Sequence, residues 1–164
     1  MTGAERGGTD PLPRIVFALL VLACFVAFFV TQRLKHTPTA VQKFKIESRF
    51  SPYSTGSHRQ EQFSFKLAQA DEVTVTIIDA NGDTVATLVR DHPVVRYKQF
   101  TLRWTGRRGN ASGYAQVMSP GGLTILVPRN RGAIAPPGEY RVLVALVHQH
   151  REVPSPRSFT LERR

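Results

Sequence analysis

The residues of this chain best suited to chemistry are cationic rather than nucleophilic. Arg107-Arg108, Arg129-Asn130-Arg131 and Arg163-Arg164 form three arginine clusters in the second half of the sequence. A guanidinium offers N–H donors in a rigid fork that matches the two oxygens of a carboxylate or phosphate. Between the first two clusters lie Tyr114, Met118, Leu123 and Ile125, so the candidate binding surface is Arg107, Arg108, Tyr114, Met118, Leu123, Ile125, Arg129 and Arg131. That combination suits recognition of a protein or an anionic envelope polymer. Tyr114 is the only aromatic residue of the stretch, a thin platform for stacking bases, which disfavours nucleic acid.

Bond-breaking chemistry finds no such support. The chain holds no Gly-x-Ser-x-Gly, no phosphate-binding glycine loop and no His-Glu-x-x-His. His148 and His150 are spaced to project from one face of a strand, but two imidazoles lack the third ligand that a zinc site needs, and a solvated strand end is the better reading. The single cysteine, Cys24, sits inside an apolar run, which excludes an intrachain disulfide and a thiolate cluster. The sequence therefore predicts no enzyme, no cofactor and no metal. The triplet Asn110-Ala111-Ser112 matches a glycosylation sequon, a pattern too common by chance to carry weight.

The charge is uneven. The whole chain carries +10, yet residues 41–95 hold six basic and seven acidic residues whereas residues 96–164 hold twelve and three. The basic half could face nucleic acid, anionic lipid headgroups or an acidic polymer.

Ahead of the clusters, residues 1–14 read as an N-terminal tail and residues 15–31 as a transmembrane helix. Ile15 to Val30 carries no charge, and the 17 residues through Thr31 span about 25 Å at ~1.5 Å per residue, the short end for a bilayer. Arg33 and Lys35 follow it. No small-x-small cleavage site is present, and Val21-Leu22-Ala23-Cys24 is only a loose lipobox. The flanking charges place the domain in the cytoplasm, against the domain type argued below. Residues 32–42 read as a linker and 43–164 as one β domain.

Within the domain the pattern is period-two alternation. Phe44 and Ile46, then Phe63, Phe65 and Leu67, then Val73, Val75 and Ile77, then Phe100, Leu102 and Trp104 alternate with polar residues. Asn81-Gly82 predicts a type I′ hairpin turn, which needs positive φ at both positions. Tyr140 to Val147 reads as a central strand, Phe159 and Leu161 as the last one, and residues 110–131 as an extra hairpin around Ser119-Pro120-Gly121-Gly122. Regularly spaced short strands of this kind predict an all-β sandwich.

Four motifs then carry a resemblance: Phe50-Ser51-Pro52; Ala70 to Ile77 leading to Asn81-Gly82-Asp83; Trp104-Thr105-Gly106-Arg107; and Pro137-Gly138-Glu139-Tyr140-Arg141-Val142. In order and spacing they resemble the immunoglobulin-like domain of bacterial flagellar hook-capping proteins. The resemblance, which covers Phe50 to about Leu161, implies an immunoglobulin-like antiparallel β-sandwich; with the apolar run over 15–31 the expectation is a single-pass protein of the bacterial cytoplasmic membrane with its domain outside the cytoplasm. The loop Tyr53 to Arg59 lacks the carboxylates with which relatives suit calcium, and 110–131 is longer than the corresponding loop. The expected function is a non-enzymatic, membrane-anchored interaction module. The alternatives are a cytoplasm-facing basic domain for nucleic acid or anionic lipid, and an auxiliary subunit of a membrane complex that uses the helix as its contact.

Overall fold

The computed structural model describes residues 11–35 and 39–163. Most of the expected tail (residues 1–10), part of the linker (36–38) and Arg164 lie outside them. The chain divides before Thr39 into two units. The first contains α1, Pro11–Lys35. Its apolar side chains are exposed all round, Phe17 at 70% and Phe29 at 68% among them.

Among the described residues no helix is long and apolar enough to cross a membrane. The apolar run whose side chains are described, Ile15 to Thr31, is 17 residues, and roughly 20 are needed to span ~30 Å of hydrocarbon. The single-pass transmembrane helix over 15–31, and with it the single-pass membrane localisation, is not supported. The antiparallel sandwich is also corrected, because the eleven strands form one curled sheet of mixed direction.

The strands are β1 (Val41–Ile46), β2 (Arg49–Phe50), β3 (Glu61–Leu67), β4 (Asp71–Asp79), β5 (Thr84–Val94), β6 (Phe100–Trp104), β7 (Gly109–Met118), β8 (Thr124–Asn130), β9 (Gly138–Leu146), β10 (Arg151–Pro154) and β11 (Phe159–Leu161). Their order is β1-β3-β6-β8-β7-β5-β4-β9-β11-β2, with β10 also on β9. Three neighbouring pairs are parallel: β5 with β7, β6 with β8, and β11 with β2. The 109–130 hairpin is the reason the sheet is continuous. β8 lies beside β6, while the start of β7 touches β5 at only two positions, Ala86 with Gly109 and Thr87 with Asn110. This two-residue seam joins the two halves of the sheet.

Alternation explains the core. In β4 the buried side chains are Val73, Val75 and Ile77, and in β9 Tyr140, Val142, Val144 and Leu146. Phe50, Trp104, Tyr140 and Phe159 form an aromatic cluster with ring separations from 5.6 to 6.1 Å. Every residue of the core cluster lies between Ala40 and Leu161, so residues 39–164 carry their own core.

The β4–β5 turn departs from the expected type I′. Gly82 has φ 89°, but Asn81 is not in the positive region. Gly82 N–H donates to Asp79 O at 3.1 Å, and the Asp79 carboxylate accepts from Asn81 N–H at 2.9 Å and Asp83 N–H at 3.0 Å. A carboxylate that caps the turn lets the preceding residues keep negative φ, leaving only Gly82 left-handed.

Candidate functional site

Trp104-Thr105-Gly106-Arg107 ends β6 and starts the floor of the site. Gly106 has φ 78°, and a Cβ there would meet Cγ of Pro52 at 2.7 Å, so the turn requires glycine twice over. Trp104 Nε1 donates to Arg107 O at 2.9 Å. The strip that follows is laced to residues 132–135. Arg108 N–H donates to Ala133 O at 2.9 Å, Gly132 N–H to Arg108 O at 3.1 Å and Ala135 N–H to Gly106 O at 2.8 Å. Arg107 Nη1 donates to Gly132 O at 3.1 Å, which orients its guanidinium. Backbone approach at Gly132 is so close that a Cβ would lie 2.4 Å from Arg108 O.

This floor underlies two adjoining clefts that meet at Ile134. The first, of about 410 Å³, is lined by Arg59, Gln60, Thr105, Arg107, Arg129 and Asn130, with Pro52, Val127, Pro128 and Ile134 as its apolar walls. The second, of about 320 Å³, brings Arg108 and Arg163 together with Tyr53, Leu161 and the Ile134 to Pro137 segment. Together they make a groove with five arginines and no carboxylate in its walls. Among the described residues, the one Lys or Arg to carboxylate pair within 4 Å is Arg49 with Glu162, at 3.7 Å, outside the groove. None of the five guanidiniums lies within 4 Å of a carboxylate among the described residues.

Asn130 fixes the groove to the sheet. It is buried, and its Nδ2 donates to Thr87 O on β5 at 3.1 Å and to Gly109 O on β7, so one amide ties β8 to both strands of the seam. Its Oδ1 has no partner. On the opposite wall, the Ser51 to Arg59 loop is held by Ser51 N–H to His58 O at 2.9 Å and Ser54 Oγ to Ser51 O at 3.0 Å.

The predicted surface residues do not all converge. Arg107 and Arg129 share the first cleft and Arg108 lines the second, whereas Arg131 is exposed but lines neither. Tyr114, Met118 and Leu123 are exposed farther along the hairpin, and Ile125 is 2% exposed, packed in the sheet between β6 and β7. Arg59, Tyr53, Gln60 and Asn130 were not singled out from the sequence. Arg59 lies nearly 50 positions before Arg107, and no pattern within its loop points to the partnership.

Other ionisable groups are spoken for locally. His148 and His150 lie in the turn after β9 rather than on one strand face, because buried Asp71 captures that turn. Its Oδ1 accepts from His148 N–H at 2.9 Å and lies 2.9 Å from His148 Nδ1, while Oδ2 accepts from Gln149 Nε2 at 3.0 Å. Burial opposes ionisation of Asp71, but these bonds outweigh it and hold the carboxyl below its ordinary value. Glu61, fully buried, is pushed up to about 8 by burial and by the charge of Glu47, although Glu47 N–H donates to its Oε1 at 2.9 Å. Burial lowers His92, which sits between the rings of Phe100 and Tyr114 at 5.2 and 5.5 Å. No group of three or more His, Cys, Asp or Glu side chains is placed to hold a metal among the described residues.

Comparison with protein-family models and with curated proteins gives no match.

Proposed function

We propose that the β domain is a non-enzymatic binding module whose arginine groove takes up an acidic polymer, one bearing phosphodiester or carboxylate groups on a polyhydroxyl chain. The observation that carries this reading is five arginines along one groove without a carboxylate in its walls. Three features favour a hydroxyl-bearing polyanion over nucleic acid. Gln60 and Thr105 place an amide and a hydroxyl among the guanidiniums, suited to sugar or polyol hydroxyls. Tyr53 is the single aromatic side chain in the walls, too little to stack successive bases. The two adjoining clefts suit a ligand that presents charge repeatedly rather than once. Kinship with the hook-capping module, carried by the Trp104 to Arg107 and Pro137 to Tyr140 motifs, belongs to the same proposal, as does the absence of catalysis.

The test is titration calorimetry of residues 39–164 with a poly(glycerol phosphate) and with a single-stranded oligonucleotide of equal charge. Binding of the polymer is expected at 50 mM salt. It should weaken by about 100-fold at 200 mM, since releasing counterions at some five charges gives a log–log slope of about −3 to −4. No binding of the polymer at low salt would overturn the reading. Tighter binding of the oligonucleotide would hand the groove to nucleic acid instead.

A further inference from the structure

Each edge of the curled sheet but one carries a device against pairing with another strand. The outer edge of β1 has exposed Lys43 and Lys45, with Lys43 at φ 50° in an irregular stretch of the ladder. β10 has Arg151, Glu152 and Pro154, and β2 is two residues long beside the Arg49–Glu162 ion pair. Charges, prolines, bulges and shortness are the usual means of blunting an edge.

The exception is β7. Past Asn110 it leaves β5, and from Ala111 to Met118 only its β8 side carries a ladder. Gly109 to Pro128 contains no charged residue, in a chain whose formal charge is +10. The irregularity between Ala111 and Tyr114 confines itself to the base, so Tyr114 to Met118 is a regular, open strand edge. Its side chains are exposed and largely apolar, Met118 at 76% and Tyr114 at 44%.

We propose that this edge docks a second copy of the chain, β7 against β7, antiparallel about a two-fold axis through Gln116. Antiparallel pairing of Tyr114–Met118 with itself sets Tyr114 opposite Met118 of the other copy, Ala115 opposite Val117, and Gln116 opposite Gln116. The ring and thioether form a favourable cross-strand pair. Charge selects the occupant. The edge itself carries no charge, so two copies of a basic domain can approach along it, with Lys98, which shares a cleft with Gln116, as the cation nearest the axis. In this register each Arg108 lies eight residues from the axis, so the two are roughly 50 Å apart at ~3.4 Å per residue, far beyond the ~8 Å screening length. The pairing is isologous and closes on itself as a dimer. It rests on the hairpin edge and not on the groove.

Sedimentation equilibrium of residues 39–164, which carry their own core, tests it. A reversible dimer is expected at tens to hundreds of micromolar protein. Gln116→Lys and Gln116→Glu each place like charges face to face and should weaken the dimer roughly tenfold, while an equimolar mixture of the two restores it. Tyr114→Ser with Met118→Ser should also weaken it, with unchanged circular dichroism. A wild-type domain that is monomeric at 0.5 mM on the order of typical solution concentrations, or a dimer indifferent to every variant, would overturn the proposal. Loss in the double variant without any response at Gln116 would overturn the antiparallel register.

Discussion

The base of the β7–β8 hairpin, with the two residues that lead into it, and its tip build opposite surfaces. At the base, Arg107, Arg108 and Arg129 stand on a floor pinned by the 106–108 to 132–135 hydrogen bonds and by the Asn130 amide. At the tip, Tyr114, Val117, Met118 and Leu123 are exposed on a ribbon with one free edge and no charge. The difference teaches that fixed charge needs a rigid support, because guanidiniums must hold their spacing to meet a ligand. A strand edge presents its backbone groups in register by virtue of being a strand, and needs no such floor.

The comparison is sharpened most by charge reversal at the base. Arg59→Glu combined with Arg129→Glu is expected to lower affinity for poly(glycerol phosphate) by about 100-fold at 50 mM salt, with self-association unchanged. Asn130→Ala breaks the comparison instead, since it removes two bonds from carbonyls on β5 and β7 and loosens base and tip together. Chemical denaturation should show a loss of about 2 to 3 kcal/mol. Gly106→Ala acts on the base alone. The clash with Pro52 and the left-handed φ predict a loss of about 2 kcal/mol, with weaker polymer binding and an intact dimer.

A fourth expectation concerns pH. Glu61 follows Arg59 and Gln60 of the groove wall, and its folded carboxyl keeps a proton up to about 8 that the unfolded chain releases near 4.5. The folded state then binds more protons across that window, so stability declines as pH rises from 4.5 to 8 and is greatest on the acid side. Glu61→Gln should flatten this slope in thermal melts. The smallest effect belongs to the tip. Leu123→Ser, at an exposed position, should change stability by less than about 0.5 kcal/mol.

Strand positions were legible where alternation is strict, as at Phe63-Phe65-Leu67 and Val73-Val75-Ile77, because a half-buried strand leaves that signature in one sequence. Pairing was not. Nothing in Ala86-Thr87 or Gly109-Asn110 announces the parallel seam, since backbone bonds carry no side-chain signal. Nothing in the sequence marks Glu61 or Asp71 as buried, yet both are, the first keeping its proton up to about 8 and the second satisfied by a turn. Ile125 reads as candidate surface because it lies between two arginine clusters, yet its strand is paired on both sides and its side chain is buried. Of the groove, the arginine pairs were visible as clusters. Arg59 and Tyr53 enter it from a distant loop, which only the folded topology brings near.

The pairing of β2 with β11 has a consequence for how the domain comes to fold. Arg49 and Phe50 align with Thr160 and Leu161, more than a hundred positions later, so the ladder cannot form until that stretch has been synthesised. Until then Phe50 lacks Phe159, one of the rings it packs against, and the nascent domain shows apolar surface to its surroundings. Closing so long a loop, together with two other parallel pairings, places folding in the slow range of roughly milliseconds to seconds typical of non-local β topologies. Aggregation therefore competes with folding for as long as that apolar surface stays uncovered.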